Sequence, residues 1–168
     1  MKKFLNAQEV MLLNLCRDIE LTGEELYFHF AEIFKDDMQA AAVWRKTALE
    51  EGNHADQFKL AAKLRIGVVE SMNLDAEKVG NALKFIQSVL EGVRRSPPNL
   101  HDAFLIAIEL EEKLSDFHMD CVATFTEESY RKLFAAMMNA DRGHLQALQE
   151  ASRQLSRSWA SPVQQVEA

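Results

Sequence analysis

Two stretches of the chain place a carboxylate three residues before a histidine: Glu51-Gly-Asn-His54 and Asp141-Arg-Gly-His144. On an α-helix that spacing brings both side chains to one face, one turn apart. A carboxylate oxygen and an imidazole nitrogen so placed can share one metal ion, and these donors suit iron or manganese. His29, His101 and His118 have Leu26, Pro98 and Ser115 at the corresponding position, so they lack the motif. One such motif alone is weak, because satisfied core and surface histidines are common. Two copies at matching points of matching helices are much stronger.

The rest of the chain must hold these pairs. Its 168 residues are enough for one domain with a proper core, spanning 1–160 and followed by a polar tail at 161–168. Only six Gly and three Pro are present, Leu, Ala, Glu, Lys and Gln abound, and no alternating Val/Ile/Thr stretch of useful length occurs. The expected class is all-α. A net charge of -7 without a basic stripe argues against nucleic acid and anionic membrane as partners. Cys16 and Cys121 are the only cysteines, so the sequence has no C-x-x-C for a zinc ribbon or an iron–thiolate centre. Met1-Lys2-Lys3-Phe4-Leu5 starts like a signal peptide, but Asn6, Gln8 and Glu9 interrupt it. No stretch approaches the ~20 apolar residues of a membrane span, and a cytoplasmic protein is expected.

Heptad seams locate the helices. The first reads Leu13, Cys16, Glu20, Gly23, Tyr27, Phe30, Phe34, apolar, small or aromatic except at its centre, Glu20. The second reads Ala40, Trp44, Thr47, Glu51, His54, Phe58, Ala61, after an aspartate cap in Lys35-Asp36-Asp37. A long connection follows, with an additional amphipathic helix over 75–93 ended by Ser96-Pro97-Pro98. A third bundle helix is expected from Asn99 to Thr124, apolar around most of its circumference. Here periodicity leaves a choice. One seam through Leu105, Ile108, Met119 and Val122 contains Glu112. Another through Phe104, Ala107, His118 and Phe125 contains Glu111. Glu109 lies one turn before Glu112. The fourth helix starts at Thr126 and runs through Tyr130, Phe134, Met137, Asp141, His144, Leu148, Ala151 and Leu155. It repeats the second: an aromatic seven residues before the acid, His three after, Ala ten after.

An acid centred in each of four helices, with two acid-x-x-His motifs, resembles the ferritin-like di-iron carboxylate proteins. Their known arrangement is a Glu from each of two helices plus a Glu-x-x-His from each of the other two. Within that superfamily the chain is similar to the rubrerythrin branch. Glu20 with Tyr27, Phe30 and Ala31 resembles its first helix, and Glu51-Gly-Asn-His54-Ala55 its second. Glu109 and Glu112, with Phe117 beyond, resemble the paired glutamates of its third. Asp141 departs from the family's usual Glu, and the cysteines of a rubredoxin domain are missing.

The resemblance implies a ferritin-like four-helix bundle with a long crossover holding an additional helix between bundle helices 2 and 3. It implies two iron ions, with manganese or a mixed pair as variants. Glu20 and His54 would hold one, and His144 with Asp141 or Glu109 the other, with Glu51 and Glu112 bridging. Tyr27 is the expected hydrogen-bond donor to a metal-binding carboxylate at the catalytic centre; the alternative is a core aromatic. The implied function is a non-haem peroxidase that reduces hydrogen peroxide or oxygen in oxidative-stress defence. It would work as a homodimer with a separate electron donor, such as a rubredoxin-type protein. The alternatives are an iron-binding or iron-oxidising protein without peroxidase turnover, and a metal-free bundle serving assembly.

Overall fold

The computed structural model describes residues 4–64, 69–139 and 143–159. Helix α1 (Ala7–Ile33) opens on a capping box: Asn6 accepts from the Glu9 backbone at 2.9 Å, and Glu9 accepts from the Asn6 backbone at 2.9 Å. Asp37 caps α2 (Met38–Leu64) by accepting from the Gln39 and Ala40 backbones at 3.1 and 3.0 Å. The two helices pack along their length. Their facing seams are the ones expected. Leu13, Cys16, Glu20, Gly23, Tyr27 and Phe30 are buried on α1. Ala40, Trp44, Thr47, Glu51, His54, Phe58 and Ala61 are buried on α2. Cys16 is free and buried.

The crossover carries strand β1 (Val69–Met72) and then α3 (Ala76–Arg95), the additional helix. Asp75 caps α3 by accepting from the Lys78 backbone at 2.9 Å. Val79, Ala82, Ile86, Leu90 and Val93 form one buried stripe. The helix lies against α1, where Arg94 pairs with Glu25.

The third bundle position differs from expectation. Helix α4 covers only Leu100–Leu114, capped by Asn99, whose side chain accepts from the Asp102 backbone at 2.9 Å. A 3-10 turn at Ser115–Phe117, the one-turn helix α5 (Met119–Val122) and strand β2 (Ala123–Phe125) take the place of the expected continuation to Thr124. Ser115 and Asp116 are poor helix interiors because their side chains compete for backbone groups. The Ser115 hydroxyl does so here, donating to the Glu112 carbonyl at 3.2 Å.

β2 pairs antiparallel with β1 in the register Val69↔Phe125, Ser71↔Thr124 and Met72↔Ala123. The Asn73 amide extends the ladder to the Val122 carbonyl at 2.9 Å, and the Ser71 and Thr124 hydroxyls meet at 2.7 Å. This sheet was not expected; three residue pairs are too few for a period-two pattern to stand out.

The fourth position is likewise divided, into α6 (Glu128–Asn139) and α7 (His144–Trp159). Gly143 has φ +94°, a left-handed conformation that an α-helix cannot run through. Phe134 on α6 stacks on Phe125 with centroids 4.2 Å apart, and Leu148 and Leu155 bury the α7 face. α7 packs on α4, and α2 touches both α6 and α7. The expected tail lies outside the described residues. Among those described, no helix is long and apolar enough to cross a membrane.

The core seam sets the stability. Leu13, fully buried on α1, should cost about 2–5 kcal/mol when replaced by Ala. Leu105, half-exposed on α4, should cost within about 0.5 kcal/mol. Chemical denaturation of the two variants checks the contrast.

Candidate metal centre

The centre lies where α1, α2 and the end of α4 converge. Glu20 and Glu51 are only 3% and 4% exposed, although each is a carboxylate on an apolar seam. Both turn to His54, whose Nδ1 lies 3.4 Å from Glu20 Oε2 and 3.6 Å from Glu51 Oε2. Gly23 of α1 faces Glu51, whose Cγ lies 3.4 Å from where a methyl group at that position would sit, an ordinary contact. Two neighbours complete the group. The Tyr27 hydroxyl, fully buried, donates to Glu111 Oε1 on α4. His118, half-buried just after the 3-10 turn, sets its ring 5.0 Å from that of His54. Glu20, His54 and His118 each offer one ligand atom, all within 4.8 Å of one another. A small enclosed space between these side chains is closed by Ile19, Ile86 and Leu114.

The electrostatics follow from burial and proximity. Burial alone would lower the His54 pKa, but hydrogen bonds and attraction from Glu20 and Glu51 outweigh it and push His54 up to about 11. Burial, together with the charge of Glu20, pushes Glu51 up to about 7 against the pull of His54. Burial and the adjoining Glu111 raise Tyr27 well above its ordinary value, so the phenol keeps its proton. Burial, then Glu20, pushes the Cys16 thiol up to about 12, which makes it a poor nucleophile. Tyr27 is held from behind by Trp44, stacked at 6.1 Å with an 8° tilt.

Of the residues expected from the sequence, Glu20, Tyr27, Glu51 and His54 are brought together. Glu109 and Glu112 are not. Both are exposed, and Glu109 pairs instead with Lys113 at 2.5 Å. The buried stripe of α4 runs Leu100, Ala103, Phe104, Ala107, Leu110, Glu111, Leu114, so the helix phase turns Glu111 inward. That was the other periodicity left open by the sequence. Asp141 lies outside the described residues, and of His144 only its position at the start of α7 is described. His118 was passed over because no acid precedes it by three residues. Its place on the Glu111 seam was the available signal.

Glu20, His54 and His118 fit one first-row divalent ion by donor type and mutual distance. Glu51 and Glu111 stand beside them as further carboxylates lining the same space. An all-α bundle with a buried carboxylate–histidine centre defines the ferritin-like class. A family model for rubrerythrin matches residues 12–152, and the chain belongs to the rubrerythrin family. No match was found among curated proteins or among solved structures.

Two outcomes are expected. First, Glu111→Ala should weaken metal uptake about tenfold or more, while Glu109→Ala and Glu112→Ala leave it unchanged, as read by calorimetric titration with Mn2+. Second, metal must displace the His54 proton, so affinity should rise with pH. With His54 at about 11, the slope of log K against pH should be about one at pH 8–9. Without metal the sign reverses for stability. The raised His54 pKa stabilises the fold fully below the ordinary 6.5, and that contribution is lost as pH rises through about 11.

Proposed function

We propose that the chain is a di-iron oxidoreductase that reduces hydrogen peroxide to water, in the manner its family membership suggests. The observation that carries this reading is the buried convergence of Glu20, Glu51, His54 and Glu111, with Tyr27 donating to Glu111. Glu20 and His54 would hold one iron, and Glu51 and Glu111 would serve the space between it and a second. Asp141 and His144 remain the proposed ligands of that second iron. Two adjacent redox-active ions supply the two electrons that cleavage of an O–O bond requires.

The protein groups have definite tasks in this reading. Tyr27 fixes the orientation of Glu111 and keeps a proton on its hydroxyl beside the centre. Glu51, with a carboxyl near neutrality when metal-free, takes up or gives back a proton as the charge of the centre changes. Ile19, Ile86 and Leu114 keep the space small, which favours a compact substrate over a large organic one. The electron donor we propose is a protein of the rubredoxin type; Cys16 and Cys121 cannot themselves make a four-thiolate centre. The free thiol of Cys16 accords with a reducing, cytoplasmic setting. The proposed homodimer would cover apolar side chains left exposed on the hairpin, Leu21 and Phe28 on α1 and Leu49 on α2.

The test is anaerobic loading with Fe2+, followed by peroxide or oxygen in stopped flow. Two irons per chain oxidised by peroxide much faster than by oxygen are expected. Tyr27→Phe should retain the iron but slow its oxidation by about 10–100-fold. Faster oxidation by oxygen, with iron accumulating beyond two per chain, would instead indicate an iron-handling protein. Absence of iron and manganese binding would leave only a structural role for the bundle.

A further inference from the structure

His118 stands outside the scheme of one donor set per bundle helix. It lies beyond the end of α4, at the junction of the 3-10 turn and α5, with φ −68° and ψ 154°. We propose that Glu20, His54 and His118 form a complete three-donor site for one divalent first-row transition ion. This site fills first and does not need Asp141 or His144. The inference rests on the carboxylate–histidine centre described above and specifies how it is loaded.

The geometry supports it in three ways. The three ligand atoms lie within 4.8 Å of one another, with Glu20 and His54 buried and His118 half-buried. The His54 and His118 rings are 5.0 Å apart and tilted by 42°. Two imidazoles sharing one ion through a nitrogen each, at about 2.1 Å and roughly a right angle, have their centroids about 5 Å apart. The backbone is also shaped to deliver His118. Had α4 continued, His118 would lie two turns beyond Glu111, about 10 Å along the axis. The break at Ser115–Phe117 redirects it to His54 instead.

The redirected segment is held firmly. Val122 is tied to Asn73, and β2 is paired to β1. Arg131 of α6 donates to the Phe125 carbonyl at 3.0 Å. Two imidazoles and one carboxylate are a donor set that binds a divalent transition ion and leaves coordination positions open. Glu111 is not part of this group of three; its carboxylate is engaged by Tyr27.

The test uses the full chain stripped of metal and titrated with Co2+ by calorimetry, with Cu2+ at one equivalent for pulsed EPR. The unsubstituted protein should show two imidazole nitrogens on the first ion. The double variant Asp141→Ala/His144→Ala should keep both nitrogens and the affinity of the first binding event. His118→Ala should show one nitrogen and weaken that event by about 100-fold or more, with circular dichroism confirming an intact helical fold. A single nitrogen in the unsubstituted protein, which needs no variant to read, would overturn the proposal. So would loss of the first event in the double variant. Two Co2+ bound by His118→Ala at unchanged affinity would overturn it and leave the two-ion centre standing. No Co2+ uptake by the unsubstituted protein would overturn both.

Discussion

Taking a carboxylate out of water costs several kcal/mol unless a cation or a hydrogen-bond donor meets it. This chain buries Glu20, Glu51 and Glu111 in one small region, and much of the surrounding structure answers that cost. His54 lies between Glu20 and Glu51 and carries a proton because they are there. Glu111 receives the Tyr27 hydroxyl, and Tyr27 is fixed by the flat face of Trp44. Trp44 in turn packs on Phe104 of α4, with centroids 4.4 Å apart. The aromatic layer thus joins α1, α2 and α4 about two turns from the acids, and the Tyr27 hydroxyl reaches from it to Glu111. One imidazolium against three carboxyl groups leaves negative potential at the centre, which suits a multivalent cation better than a further apolar side chain.

The two halves of the bundle solve the positioning problem differently. α1 and α2 are long, uninterrupted helices, so helical rise sets the spacing of Glu51 and His54, and the packing of the two helices sets Glu20 against them. The C-terminal half is assembled from shorter pieces, and its donors depend on where those pieces start and stop. α3, laid along α1, adds Ile86 to the wall of the centre and shields it on the crossover side. This chain thus keeps one half as a continuous two-helix template and builds the other from shorter segments.

This difference also governs what the sequence reveals. Glu20, Glu51 and His54 were legible because a heptad seam that is apolar everywhere but its centre marks that centre. The crossover helix was legible from its stripe and from the prolines that end it. Glu111 was not singled out, because a helix apolar on most sides has no clear phase. Resemblance then favoured Glu109 and Glu112, both of which face solvent. His118 was hidden for another reason: its role depends on a helix ending at Leu114, and stop signals such as Ser115-Asp116 are weak beside a continuing apolar pattern. The paired strands are too short to register at all, and the division at Gly143 hinges on one residue's backbone angle.

The small sheet has a consequence for the order in which the molecule assembles. Ser71 and Thr124 meet across a sequence separation of 53 residues, whereas α1 and α2 are joined by a turn of a few residues. Local contacts form early, and long loops close late because closure entropy must be met before the contacts reward it. The hairpin that carries Glu20, Glu51 and His54 is therefore expected to form ahead of the clasp that fixes His118. Two acids and one histidine are thus set by local contacts, whereas the placing of His118 depends on the long-range strand pairing.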